Sequence, residues 1–264
     1  MKKSVLTAMA SFVLLLAAGW VAGFEGYSET IDQRFPLSPG GTVSLENVNG
    51  DVTIEVWENS EVWVQAVKSA SSPELLERLK VKIDASSSAV RIDTEYPSNR
   101  RSEHEDHEHA KRERGRHSKV EYTLTIPRTA VIDDLELVNG NLLIVGVEGG
   151  MEAETVNGNI VVRDGAGDAS LSTVNGGIEL YANRLGYGES IDLETVNGTL
   201  DLYLAASAGA EIRAESVNGK LNNDFGIEVH KGKYVGSDFK GTFGGGGARV
   251  NLETVNGSIT VHRN

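Results

Sequence analysis

The sequence predicts an all-β fold: a single-stranded parallel β-helix (a β-solenoid), entered through a β-rich N-terminal region that carries one short capping helix. Three observations predict it. The tetrapeptide Thr-Val-Asn-Gly stands at Thr155, Thr173, Thr195 and Thr254, with looser copies ending at Gly50, Gly140 and Gly219. Apolar and polar residues alternate on both sides of every copy, the pattern of a half-buried strand. Residue type at each position is repeated from copy to copy, as ladders of stacked identical side chains require.

In chain order, residues 1–23 (MKKSVLTAMASFVLLLAAGWVAG) read as a signal peptide. Lys2 and Lys3 form its positive start, Val5 to Ala18 its apolar stretch, and Val21-Ala22-Gly23 the small residues of a cleavage site. The rival reading is an uncleaved anchor, because Ser4 to Phe24 is nearly long enough to span a bilayer. With cleavage, the segment takes no part in the fold and no membrane span remains. The protein is then exported: periplasmic, cell-surface or secreted. The chain has no cysteine, so neither disulfides nor a cysteine-linked lipid is expected, although the destination permits disulfides.

Residues 24–134 form the entry region. Thr42 to Val48 and Asp51 to Trp57 follow the repeat pattern once. Glu61 to Val67, Val81 to Ala85, Ala89 to Thr94 and Val120 to Ile126 read as longer strands. Ser72-Pro73-Glu74 opens a short helix, with serine as cap and proline at the first position, placed to cover an open end of the core. Residues 98–118 are charged and nearly free of apolar side chains, which predicts a loop. Within it His104, His107 and His109 lie among Glu103, Glu105, Asp106 and Glu108. Imidazole suits zinc, copper and nickel, so these three are candidate metal ligands. A solvated charged loop explains them as well, since a structural zinc site wants ligands on defined elements.

Residues 135–264 hold the repeats. Numbered from each asparagine (Asn49, Asn139, Asn157, Asn175, Asn197, Asn218 and Asn256), the gaps are 90, 18, 18, 22, 21 and 38. The last gap is close to two units and predicts a degenerate copy inside it. Apolar residues stand three and five places after each asparagine, with Asn223 the one exception. Each unit is therefore two short strands joined at Asn-Gly, residues that tolerate the left-handed backbone region. A hairpin is the usual meaning of Asn-Gly. It would place Glu194 opposite Asp201 and Ser172 opposite Glu179, so a like-charge pair arises. Stacked units avoid that and let asparagine amides bond along a ladder. Gly244 to Gly247 read as a flexible loop before the last strand pair.

The formal net charge is −13, and loss of Lys2 and Lys3 deepens it to −15. That argues against a nucleic-acid partner, which needs a positive footprint, and against docking on anionic lipid. Glutamates recur three places before the asparagines, at Glu46, Glu136, Glu154, Glu194, Glu215 and Glu253, with Ser172 in the remaining unit. Alternation puts them outside. Glu136, Glu154, Glu194, Glu215 and Glu253 are thus a candidate interaction face for weakly bound divalent cations, or for a protein or surface partner with a basic face. A solubilising outer face would read the same way. Asp164-Gly165-Ala166-Gly167-Asp168 is similar to a calcium-binding nonapeptide, but as a single copy it reads as a turn. No nucleophile motif stands out, and the repeat region has 13 acidic but three basic residues between Glu136 and Asn218. A polysaccharide-cleaving enzyme would group carboxylates with bases, so no enzyme and no cofactor are expected.

The L-x-T-V-N-G-x-I-x-V units resemble a widespread bacterial family of unknown function, catalogued as a putative adhesin domain. So do Lys240 to Gly247 running into Val250 to Ile259, and Val120-Glu121-Tyr122-Thr123-Leu124-Thr125-Ile126-Pro127 before the repeats. The resemblance covers roughly residues 40–264 and leaves out the loop at 98–118. It implies a β-helix of the envelope or the secreted fraction and brings no catalytic residues. The resulting expectation is a non-catalytic, adhesin-like interaction or structural protein of the cell envelope. The alternative is an envelope sensor or metal-handling protein using the histidine loop.

Overall fold

The computed structural model describes residues 13–15, 26–97, 118–232 and 235–264. The fold is all-β, with two eleven-stranded sheets closed over one apolar core that runs from Leu37 to Val261. In every repeat the strand before Asn-Gly lies in one sheet, called here the approach sheet. The strand after it lies in the other, the departure sheet. Met151–Asn157 and Ile160–Gly165 are one such pair. The two strands of a unit thus belong to different sheets, and each pairs in parallel with its counterpart in the next unit. Ala169 to Asn175 aligns with Ile191 to Asn197, with Leu171 beside Leu193 and Asn175 beside Asn197. Alternation then sends Leu171, Leu193, Ile178 and Leu200 inward, each at most 1 % exposed.

Each residue of Thr-Val-Asn-Gly has its own task. The threonine points inward, and its hydroxyl donates to the glycine carbonyl of the neighbouring unit: Thr173 Oγ1 to Gly158 O and Thr195 Oγ1 to Gly176 O, both at 3.0 Å. A buried hydroxyl left without such a partner would be costly. The asparagines form one continuous ladder at 2.9–3.0 Å, from Asn49 through Asn139, Asn157, Asn175, Asn197 and Asn256 to Asn218. The glycine departs from expectation. Among the turn glycines only Gly50 has a positive φ. Glycine is needed because a Cβ on Gly158, Gly176 or Gly198 would intrude on the carbonyl oxygen of the preceding turn glycine. The constraint is close stacking, not a left-handed backbone.

At the entry end the sheets are mixed. Tyr27–Pro36 runs antiparallel to Glu61–Ala70, which runs antiparallel to Ser118–Pro127. Lys80–Ala85 runs antiparallel to Ala89–Glu95. The helix is Pro73–Arg78, and the Ser72 hydroxyl accepts the Leu75 N–H at 3.3 Å. It packs on Tyr27–Pro36 and Glu61–Ala70, with Leu75 buried. Lys68, within Glu61–Ala70, pairs with Glu29 at 2.7 Å with only 8 % of its side chain exposed. Val13–Leu15 lies antiparallel along Thr30–Asp32. The outer edge of Tyr27–Pro36 has unpaired backbone groups that an extended segment satisfies.

The far end also corrects the sequence reading. Among the described residues, 219–247 hold no extra repeat. The chain forms Ala210–Asn218 and Leu221–Asn223 and then returns as Ser237–Phe243, antiparallel to Ala210–Asn218. The run Gly244 to Gly247, with φ of 57, 86, 75 and 127°, passes over the backbone of Ala208 and Gly209. Only glycine adopts four such values in succession at little cost. Ala248–Asn256 then pairs with Ser190–Asn197 on one side and Ala210–Asn218 on the other. Ile259–Arg263 does the same between Leu200–Leu204 and Leu221–Asn223. The last unit in sequence is thus next to last in space. Asn223 breaks the apolar rule because the core ends there. Its amide instead closes a turn, accepting from Ile227 N and donating to Ile227 O, both at 2.9 Å.

Candidate interaction face

The approach sheet brings the predicted glutamates into one register. Glu46 aligns with Glu136, Glu136 with Glu154, Glu154 with Ser172, Ser172 with Glu194, Glu194 with Glu253, and Glu253 with Glu215. The column continues at both ends, to Asp93 beside Glu46 and Asp238 beside Glu215. Neighbouring strands are about 4.8 Å apart. Two unit charges at that spacing repel by roughly 1 kcal/mol even at the dielectric constant of water. The Glu136 carboxyl is raised above its ordinary 4.5, first by partial desolvation and then by Asp134, Glu46 and Glu154.

Bases stand at the two ends. Arg91 reaches Glu46, Asp93 and Asp134. Arg213 pairs with Glu215 at 2.5 Å, and Lys240 with Glu211 at 3.0 Å. Between them Glu136, Glu154, Glu194 and Glu253 have no ion pair among the described residues. Of the predicted face, Glu215 is therefore partly neutralised and the other four are left to solvent.

Two rows were not anticipated. The residue before every ladder asparagine is valine: Val48, Val138, Val156, Val174, Val196, Val217 and Val255. All point outward. Five of them are 38–46 % exposed, and Val156 and Val174 are half-buried. This apolar stripe runs between the asparagine ladder and the glutamate column. On the departure sheet Tyr181, Tyr203 and His262 stack face to face, with ring centroids 4.1 and 4.2 Å apart, and His262 Nε2 lies 3.2 Å from Asp201 Oδ1. The Glu179 carboxylate, hydrogen-bonded to the Tyr181 phenol, raises its pKa. Both rows share a constant offset from the asparagines, one place before and six after, and that offset was their signal in the sequence. At the entry end Arg34 lies over Trp57 and Trp63, 5.4 and 4.6 Å from the ring centroids.

His104, His107 and His109 lie outside the described residues. Asp164 and Gly165 end the strand Ile160–Gly165, and the chain bends at Gly167. Asp164 has φ 53° and accepts from Asn183, while Asp168 Oδ1 accepts Ser190 N at 2.7 Å.

No family model and no curated protein matches the sequence. Solved structures are similar at low identity. One is described as a "putative cell adhesion protein" from Clostridium sporogenes, with TM-score 0.48 and 16 % identity, covering 91 % of this chain and 100 % of that one. Another is a "putative adhesin" from Bacteroides fragilis, with TM-score 0.42 and 12 % identity over 88 % of this chain and 96 % of that one. A third is a "putative lipid binding protein" from Parabacteroides distasonis, with TM-score 0.31 and 11 % identity over 90 % of this chain and 97 % of that one.

Proposed function

We propose that the protein is a non-catalytic, exported, adhesin-like protein of the cell envelope. It is wound as a two-faced β-solenoid whose approach sheet presents an acidic interaction surface to cations or to a partner with a basic face. The in-register carboxylate column carries this reading. A column at strand spacing concentrates negative charge that solvent-exposed scattered carboxylates would not; the Glu136 carboxyl is raised first by desolvation and then by its neighbours Asp134, Glu46 and Glu154. The winding is supported by parallel pairing of each strand with its counterpart in the neighbouring unit. Export is supported by the residues of the leader.

The test is a set of thermal scans in low-salt buffer with and without calcium, on the wild type and on Glu136→Gln, Glu194→Gln, Glu253→Gln combined. Calcium should raise the wild-type melting temperature by mass action. The triple variant should melt higher without metal and lose most of the calcium response. If calcium affects both proteins alike, the face does not bind cations and only the basic-partner version is left.

A further inference from the structure

We infer that the valine stripe and the glutamate column form one docking track for a cationic amphipathic helix. The valines take its apolar side, and the carboxylates take lysines or arginines along one flank. The charge half of this inference rests on the acidic-face reading above; the apolar half stands on its own observation.

That observation is the constancy of an outward position. Strand propensity alone favours valine, so the stripe must be set against other outward rows under the same demand. The row five places before the asparagines reads Ser44, Asp134, Glu152, Ser170, Asp192, Arg213 and Asn251. The row four places after reads Thr53, Leu143, Val161, Glu179, Asp201, Asn222 and Thr260. Both form strands with mixed residues. Only the position before asparagine is valine in all seven units. A continuous outward apolar row, with five of its seven valines exposed, on a chain of net charge −13 is the mark of a binding surface.

Dimensions choose the occupant. Seven adjacent strands span about 29 Å at strand spacing, the length of a helix of roughly 19 residues. A helix returns its apolar side every 5.4 Å or so, near the spacing of the valines. An extended peptide returns a side chain to the same face only every 6.7 Å or so and falls out of step within three strands. The glutamate row lies two residues from the valine row on the same face, about 6.7 Å away. That is under the flank of a helix about 10 Å wide. On the other side of the valines the asparagine amides are neutral and bonded to one another. Charge is therefore wanted on one flank only. A second copy of this chain is a poor occupant, since it would add another acidic surface.

The probe is a fluorescent 19-residue leucine/lysine peptide with a leucine stripe and lysines along one flank, beside a scrambled peptide of the same composition. Binding is followed by anisotropy, and peptide helicity by circular dichroism. The proteins are the wild type, the glutamine triple variant above, and Val156→Thr, Val196→Thr, Val255→Thr combined, which keeps β-branched shape at each site. The wild type should bind the amphipathic peptide at least tenfold more tightly than the scrambled one and turn it helical. The threonine variant should lose that tenfold preference, yet keep its fold, its weak hold on both peptides and its calcium-dependent melting shift. The glutamine variant should lose both peptides. Equal binding of the two peptides, or an unchanged preference in the threonine variant, would overturn the track and leave the acidic-face reading standing if the calcium shift persists. A preference that survives the glutamine substitutions would also overturn it, as would a wild-type dimer that the threonine variant converts to monomer.

Discussion

Between Asn139 and Asn256 side chains meet near-copies of themselves: asparagine on asparagine, threonine under threonine, leucine beside leucine. Between Tyr27 and Pro127 many of them meet unlike partners. Lys68 meets Glu29, Arg34 covers two tryptophans, Trp63 donates to Asp32 at 2.7 Å, and the Tyr122 hydroxyl lies 2.7 Å from Thr94 Oγ1. Tyr122 is buried there and Tyr96 partly buried. Burial pushes the Tyr96 phenol up to about 12 and raises Tyr122 as well. The difference teaches where each region is vulnerable. A ladder transmits any local fault to both neighbours because they rely on the same contact. A set of unlike pairs confines the fault to one pair.

The largest expected effect is steric. In Gly176→Ala the new Cβ would press on the Gly158 carbonyl, which is fixed by the stack on its other side. The expected loss is about 3 kcal/mol, the upper range for overpacking. Gly40→Ala at the entry end meets no atom within 4 Å and loses only the cost of its φ of 73°, about 1–2 kcal/mol. Urea denaturation of the two variants checks this, and equal losses would erase the contrast between regions.

A smaller effect is expected at the ladder itself. Asn175→Leu breaks bonds to Asn157 and Asn197 together, for roughly 1–3 kcal/mol. Asn49 stands where the ladder ends, bonded to Asn139 on one side and only at 3.5 Å to the Ser118 carbonyl on the other. Asn49→Leu should cost less, and denaturation midpoints of the pair would show it. If the two midpoints coincide with the wild type, the ladder contributes nothing to stability.

The smallest effect is electrostatic. Glu136 sits at the seam, between Glu46 of the entry region and Glu154 of the repeats. Its folded pKa is raised, so the folded state binds the proton more tightly than the unfolded chain. The resulting stabilisation is fully present below the unfolded value and lost as pH rises through the folded one. Melting curves of wild type and Glu136→Gln should therefore differ with pH. The variant should gain on the wild type as pH rises from the ordinary carboxylate value toward neutral. Parallel curves for the two proteins would mean that the column is not coupled.

Much of this was legible where the cause is local. The inward rows, from Leu171 to Ile178 and their counterparts, follow from alternation, and the Ser72 cap follows from its proline and helix pattern. The glutamate register follows from equal offsets. What could not be read depends on distant neighbours. Tyr27–Pro36 shows mostly half-buried residues on both faces, so no alternation marks it as a strand. The turn glycines are dictated by a carbonyl one unit away rather than by their own φ. Arg91 reaches the column because Ala89–Glu95 pairs beside Thr42–Asn49, which no spacing encodes. The order of units is hidden for the most general reason. Near-identical repeats can pair with any neighbour, so the sequence does not distinguish Asn256 beside Asn218 from Asn256 between Asn197 and Asn218.

That interleaving has a mechanical consequence. A load applied through residues 248–263 cannot peel a strand from an open edge, because Ala248–Asn256 and Ile259–Arg263 are each bonded on both sides. The strands must slide past two neighbours at once, breaking two rows of backbone bonds in shear, together with the asparagine links to Asn197 and Asn218. Resistance to traction is therefore built into the place where this segment is seated, and does not depend on how strongly any one of its contacts is held.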